Sequence, residues 1–248
     1  MENFKEKIYQ ACKNGEIDTV SNYFKYKDTL YVDNCVENRL MAVNAIAGGQ
    51  LEILNIILDI SSTTKNFFND ENINLLTKES CDQNNIKILA YLLEYPFIVK
   101  NQYPHFIMKI GMYCAANGKL EPFKYICENF LDDYYFNMSF ADGNVTALSA
   151  QYGHTNVLEY MFTNENLIKL SNVSVIEKSF KRAIENKNLA TLHYFVFDKN
   201  LEITPFIQEF IKKDTFIANI FETRSLKQSL TNDLDYTQNN NIIKKTKI

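Results

Sequence analysis

The amino-acid sequence predicts an all-α fold, a solenoid of stacked helix–turn–helix repeats. Three observations predict it: a turn signal that returns at a regular interval, a small side chain at a fixed distance before each turn, and an apolar stripe after it. The turn positions are Gly15, Gly49, Asn84, Gly118, Gly153 and Lys187, which follow one another at intervals of 34, 35, 34, 35 and 34 residues. Such a regular period is the signature of a repeat architecture, in which each unit stacks on its neighbours.

The first helix of each unit is expected to end at the turn position. Four residues earlier the side chain is always small, which lets two helices pack closely: Ala11, Ala45, Ser80, Cys114, Ser149 and Ala183. Glycine ends a helix well because it enters the left-handed backbone region without strain at Cβ. Five of the seven glycines lie in these turns, Gly48 among them. Asparagine at 84 is the next-best residue. Lys187 fits poorly, so Asn186 is the expected alternative there.

The second helix of each unit carries an apolar stripe. Apolar residues recur two, five, eight and nine positions after the turn, with Thr155 as the exception. Spacings of three, six and seven trace one face of an α-helix. The stripe is expected to pack against the first helix of its own unit and against the next unit.

One block of sequence resembles a known repeat family. Residues 149–162, S-A-Q-Y-G-H-T-N-V-L-E-Y-M-F, resemble the ankyrin pattern A-A-x-x-G-H-x-x-V-V-x-x-L-L, and G-Q-L-E-I-L at 49–54 and G-K-L-E at 118–121 resemble its G-H-L-E-I-V variant. The resemblance covers about residues 4–200. The T-P-L-H motif that opens an ankyrin unit is largely lost, so some connections are expected to be plain loops rather than β-hairpin fingers.

The main alternative is a tetratricopeptide array, whose period is also about 34 residues. That family has its own pattern of W, L, G, Y, A, F and P positions, and this chain has no tryptophan. The short glycine turn followed by L-E-x-L favours the ankyrin alternative.

The sequence predicts three regions: six repeats over 1–200, a capping helix or helices over 201–228, and a disordered polar tail over 229–248. Pro205 can open a helix that runs through Ile217 to Phe221, and its apolar face would cover the last repeat. The connections between helix pairs are expected at 25–38, 60–72, 95–103, 130–142, 164–173 and 198–204.

Composition and charge exclude several classes of protein. The net charge of −4 and the pI of about 5.5 argue against a nucleic-acid partner. No apolar run reaches the roughly 18 residues that a membrane span needs, and residues 1–7 lack the apolar core of a secretory signal. Five cysteines without CxxC spacing favour a reducing compartment, the cytoplasm or the cytosol of a host cell.

No catalytic site, cofactor site or metal site is expected. His154 occupies the G-H turn position, where a structural hydrogen bond is the usual role, while His193 lies inside a second helix and His105 opens a first helix. Cys114 is itself the small residue four positions before a turn, and Cys81 directly follows another, Ser80. These positions favour packing in the core as the role of both cysteines. The phosphate-binding, dinucleotide-binding, zinc-protease and serine-hydrolase motifs are absent from the sequence. The chain is therefore not expected to be an enzyme or to have a small-molecule substrate.

The resemblance implies a protein–protein interaction module that binds a partner protein through a concave face and loop tips, such as an effector or viral host-interaction factor. Two alternatives remain: a subunit or inhibitor within a larger complex, and an enzyme with a site built across repeats. In the ankyrin family, partners contact the loop tips and variable positions of the first helices. The matching candidates here are Lys13, Asn44, Glu79, Asp82, Tyr113, Asn117, Gln151, Tyr152, Arg182 and Glu185, together with the loop aromatics Tyr103, Tyr134, Tyr135 and Phe136. A second interpretation of these aromatics is that they only cover the long loops.

Overall fold

A computed structural model describes residues 2–27, 35–62, 67–96, 98 and 105–245. Across these residues the chain is helical and contains no strand. The helices are α1 Glu2–Asn14, α2 Ile17–Lys27, α3 Cys35–Ala47, α4 Leu51–Ser61, α5 Asp70–Asp82, α6 Ile86–Glu94, α7 Phe106–Ala116, α8 Leu120–Phe130, α9 Tyr134–Ala141, α10 Asn144–Tyr152, α11 Thr155–Thr163, α12 Glu165–Ile168, α13 Val173–Glu185, α14 Leu189–His193 with a π-helical turn Tyr194–Asp198, α15 Pro205–Lys213 and α16 Thr215–Lys245. None of the helices in the described part is both long and apolar enough to cross a membrane.

The six predicted turns share one backbone geometry. The turn residue has a positive φ in every case, between 52° at Lys187 and 84° at Gly15 and Gly153. The backbone N–H of the residue after the turn then donates to the carbonyl of the small residue that lies four positions before the turn. These bonds run from Glu16 to Ala11, Gln50 to Ala45, Asn85 to Ser80, Lys119 to Cys114, His154 to Ser149 and Asn188 to Ala183, all at 2.8–3.0 Å. This six-to-one bond is the Schellman helix ending. The predicted left-handed turns are confirmed.

Two details of the turns differ from the prediction. Lys187 itself takes the left-handed conformation, while Asn186 keeps a negative φ of −98° and donates its side-chain amide to the carbonyl of Arg182. Gly48 is not a left-handed residue. A Cβ at Gly48 would lie 1.9 Å from the backbone oxygen of Lys13, so glycine is needed there because two backbones approach closely.

Neighbouring turns are also tied together by side chains. At three turns, the side chain of the residue after the turn donates a hydrogen bond to the backbone carbonyl that lies 37 residues earlier. These bonds run from Gln50 to Lys13 at 3.4 Å, from Lys119 to Asp82 at 3.1 Å and from Asn188 to Gln151 at 3.4 Å. This position therefore recurs as a polar link between the turns of consecutive helix pairs.

By its internal contacts the chain divides into two compact units, Met1–Val145 and Thr146–Ile248. In the first unit, α1 packs on α3, α3 on α5 and α5 on α7. The small residues of these helices, Ala11, Ala45, Ser80 and Cys114, are all buried, as the sequence predicts. Cys114 lies so close to Cys81 that their sulfur atoms are 3.5 Å apart.

The second unit has an aromatic core. Phe180 contacts Phe195 and Phe221 edge to face, at 6.1 and 6.2 Å between ring centres. Ile207 of α15 and Ile217 of α16 are buried in the same cluster.

The C-terminal helices differ from the prediction in two ways. The expected helix from Pro205 ends at Lys213, because Asp214 leaves the helical conformation and accepts a hydrogen bond from the N–H of Phe216, which starts a new helix. That helix, α16, continues to Lys245 through most of the expected disordered tail, and residues 246–248 lie outside the described part. The sequence after Asp214 contains neither glycine nor proline, the two residues that most disfavour a helix.

Two predicted connections contain helices. Residues 130–142 hold α9 and residues 164–173 hold α12. Each begins at a side-chain cap: Asp133 accepts from the N–H of Phe136 at 2.9 Å, and Asn164 accepts from the N–H groups of Asn166 and Leu167. Parts of the predicted connections 25–38, 60–72 and 95–103 lie outside the described residues.

Candidate functional site

Helix α9 presents an aromatic surface in the first unit. Its inner face is anchored by Phe136 and Phe140, which are buried four residues apart on one side of the helix. On the other side Tyr134 is 68 % exposed, Tyr135 39 % and Met138 40 %. The buried pair fixes the helix on the core, so the exposed side chains stand on a well-anchored element.

His105 extends this surface to the neighbouring helix α7. Its ring lies 3.8 Å from that of Tyr135, measured between ring centres, and Tyr135 in turn contacts Tyr134 edge to face at 5.2 Å. His105 immediately precedes α7 and has a φ of 71°, so it opens this first helix as the sequence predicts. We call His105, Tyr134, Tyr135 and Met138 the aromatic patch.

Phe136 was expected among the partner-binding residues, and the structure corrects this. It has no exposed surface. Its ring packs on Gly111 of α7, where an added Cβ would lie 2.1 Å from the ring carbon Cε2. Phe136 therefore holds α9 against α7 and is not accessible to a partner.

A polar cluster lies at the other end of α7. The Tyr113 hydroxyl donates to Asp82 Oδ2 at 2.7 Å, and Lys119 Nζ lies 3.2 Å from Asp82 Oδ1. The ammonium group of Lys78 lies 5.0 Å from the centre of the Tyr113 ring, within the range of a cation–π contact. The pKa of Tyr113 is raised, mainly by burial and secondly by the hydrogen bond to Asp82. This phenol therefore remains a hydrogen-bond donor at neutral pH. We call Lys78, Asp82, Tyr113 and Lys119 the polar cluster.

The remaining candidates of the first unit lie near these groups or apart from them. Glu79 accepts from Gln83 at 2.8 Å, and Asn117 donates to the carbonyl of Tyr113 at 2.8 Å. Lys13 is exposed and Asn44 is half-buried, and both lie on earlier helices. Tyr103 lies outside the described residues.

In the second unit the candidates do not form one cluster with a defined geometry. Tyr152 is 53 % exposed, and Gln151 is half-buried, its carbonyl accepting the link from Asn188. Arg182 and Glu185 form an exposed ion pair at 3.5 Å on α13. A surface ion pair of this kind contributes little to stability.

The thiols of the core are poor nucleophiles. Burial raises the pKa of Cys12 to about 12 and that of Cys127 well above its ordinary value. The pKa of Cys114 is also raised, mainly by the hydrogen bond that its thiol donates to Cys81 and secondly by burial. A thiol must lose its proton to act as a nucleophile or metal ligand, so these side chains serve as packing groups at neutral pH.

Neither a metal cluster nor a relative identifies a function. Within the described residues no group of three or more His, Cys, Asp and Glu side chains is placed to hold a metal ion. No protein-family model, curated protein or solved structure matches the chain.

Sequence reasoning missed Met138, the contact of His105 with Tyr135, and Lys119. One signal could have found Met138. Asp133 followed by Phe136 and Phe140 is a helix cap with an apolar pair at a spacing of four, and it predicts α9.

Proposed function

We propose that this protein is a protein-binding module: a stack of ankyrin-like repeats that binds a partner protein through the surface of α7 and α9. The observation that carries the proposal is the aromatic patch, with Tyr134 68 % exposed on a helix whose other face is buried. Tyrosines held on a fixed element are typical of binding hot spots, since they bring a large contact area with little loss of side-chain freedom.

The surface of α7 connects the aromatic patch with the polar cluster. His105 and Tyr113 are eight residues apart, a rise of about 12 Å along a helix, and Lys109 lies halfway between them on the same side. A partner that lies along α7 could therefore place an apolar group on the patch and hydrogen-bonding groups on the polar cluster. This is the combination of apolar centre and polar rim that protein interfaces use.

The recurring turn geometry supports the stack. Six Schellman endings at a period of 34–35 residues, and the packing of first helices on one another in the first unit, are what repeat stacking requires. Ile207, Ile217 and Phe221 bury apolar surface at the C-terminal end of the second unit, which supports a capping role for α15 and the start of α16. Five free cysteines support a reducing compartment.

The test is an affinity capture from the cells in which the protein is made or acts, with the Tyr134→Ala/Tyr135→Ala double variant compared with the unmodified chain. Tyr26→Ala is the matched control, since Tyr26 is 69 % exposed. We expect the double variant to lose a partner that the unmodified chain and the control both retain, with unchanged thermal unfolding. Equal recovery of every captured protein by all three chains would contradict the proposed surface.

A further inference from the structure

A cavity of about 370 Å³ lies within the second unit, between α13, the π-helical turn and the segment that leads to α15. Its volume falls in the range of about 300–1,000 Å³ that is typical of ligand sites. The walls are formed by buried apolar side chains, Phe162, Phe195, Leu201 and Ile207. No motif in the sequence indicated this site.

The mouth of the cavity is open to solvent and is lined by both apolar and polar side chains, the polar ones being Asn200 and Glu202. Ile168 and Val173, which line it, are 49 % and 57 % exposed. A ligand with an apolar body would therefore remove the exposed apolar surface of Ile168 and Val173 from water, and its inner end would contact side chains that are already buried.

The π-helical turn shapes one wall. The N–H of Lys199 donates to the carbonyl of Tyr194 at 2.9 Å, five residues earlier, instead of the four of an α-helix. The N–H of Leu201 then reaches the carbonyl of Phe195, also at 2.9 Å. The wider turn leaves Phe195, Lys199 and Leu201 all facing the same cavity. Such departures from α-helical geometry are frequent at functional sites.

Lys199 is a polar group of this cavity with spare hydrogen-bonding capacity. Its ammonium donates to the carbonyl of Phe162 at 3.1 Å and lies 5.4 Å from the centre of the Phe162 ring. An ammonium has three donors, so two can still be used. The ion pairs found among the described residues do not include Lys199. A half-buried cation without a carboxylate partner beside an apolar cavity favours an anionic ligand group.

Two carboxylates also line the cavity, and the positive charge of Lys199 must outweigh their repulsion of an anionic ligand. Glu177 accepts a hydrogen bond from the Thr204 hydroxyl, which also caps α15. Glu202 is exposed, where water screens its charge.

We propose that this cavity binds a medium-chain monocarboxylate, whose aliphatic chain fills the apolar interior and whose carboxylate accepts hydrogen bonds from Lys199 Nζ. The site does not depend on the proposed protein-binding function, since none of its residues belongs to the aromatic patch or the polar cluster.

The test is isothermal titration calorimetry of the full chain with decanoate and, separately, with decyltrimethylammonium, which has the same aliphatic chain and the opposite charge. We expect saturable binding of one decanoate and binding of the cation that is weaker by about tenfold or more. Tighter or equal binding of the cation, or the lack of saturable decanoate binding, would overturn the proposal.

Variants locate the bound ligand. Val173→Trp should block the mouth and abolish decanoate binding, whereas Ile203→Trp, at a residue that is 48 % exposed and does not line the cavity, should leave it unchanged. Lys199→Met should weaken binding by about tenfold and Lys199→Arg should restore most of it. Thermal unfolding shows whether each variant is folded. Decanoate that binds folded Val173→Trp as well as the unmodified chain would show that it binds elsewhere and would overturn the assignment.

Discussion

Gly111 and Phe136 are in such close contact that a Cβ on Gly111 would lie 2.1 Å from the Cε2 atom of the Phe136 ring. Phe136 is fully buried and begins the inner face of the helix that bears the aromatic patch. The glycine therefore sets how closely α9 approaches α7, and thus where Tyr134 and Tyr135 stand on the surface.

Gly111→Ala is expected to destabilise the protein. Alanine favours a helix over glycine by about 1 kcal/mol, but the overlap forces the buried ring to move, which typically costs about 1–3 kcal/mol. Urea unfolding measures the balance. Combining Gly111→Ala with Phe136→Leu should cost less than the sum of the two single changes, because the overlap is then relieved. A more stable Gly111→Ala protein would contradict the packing of α9 on α7.

Gly48→Ala is expected to cost more stability than Gly49→Ala, although Gly49 is the residue with positive φ. At Gly49 a Cβ meets only the Asn85 amide nitrogen at 3.4 Å, so the cost is the left-handed conformation, about 1–2 kcal/mol. At Gly48 the Cβ would meet the backbone of Lys13 at 1.9 Å, and backbone cannot rotate away. Urea unfolding of both variants decides the order, and a smaller loss for Gly48→Ala would show that α1 and α3 do not approach this closely.

Lys187→Gly is expected to stabilise the protein by up to about 1 kcal/mol, because Lys187 has a φ of 52°, which glycine adopts without strain. Lys181→Gly, within the neighbouring helix α13, is the control and should destabilise by about 1 kcal/mol. Thermal unfolding of the two variants provides the comparison. Equal losses from both would mean that residue 187 is not left-handed.

Stability is expected to fall as the pH rises above about 9, and Cys12 contributes to the fall. Burial raises the pKa of this thiol from 9.0 to about 12. Between these values the unfolded chain loses the proton while the folded chain keeps it, so the contribution of Cys12 is complete below pH 9 and is lost as the pH approaches 12. Urea unfolding at pH 8 and pH 10 should show a smaller decrease for Cys12→Ala than for the unmodified chain. Parallel decreases would indicate that other groups account for the whole effect.

The turns could be predicted from sequence because each requires a particular residue at one position. A small side chain, then glycine or asparagine four residues later, specifies both the helix end and its Schellman bond, and five of the six turn residues were assigned correctly in this way. Lys187 could not be assigned, because its conformation is imposed by the hydrogen bonds on either side of it and not by its own preference. The role of Gly48 depends on a neighbouring backbone, which is a long-range contact that no local pattern contains.

The candidate site was predictable only in part for a similar reason. The sequence predicts Tyr134 and Tyr135 as loop aromatics at a binding surface; in the structure they lie on helix α9 and are exposed. The sequence does not separate Phe136 from these two tyrosines, because a loop has no inner and outer face. Once 134–141 is a helix, the third of three adjacent aromatics turns towards the core. The polar cluster joins residues from two helices, α5 and α7, and from the turn before α8, so its geometry depends on packing.

The most direct test of the binding surface is site-specific photo-crosslinking in living cells, with a photoreactive phenylalanine analogue in place of Tyr134 in one chain and in place of Tyr26 in another. Both side chains are similarly exposed, at 68 % and 69 %. The proposed function predicts a discrete crosslinked partner from position 134 that is not formed from position 26. No adduct from position 134, or the same adducts from both positions, would contradict the claim that a partner protein binds on α9.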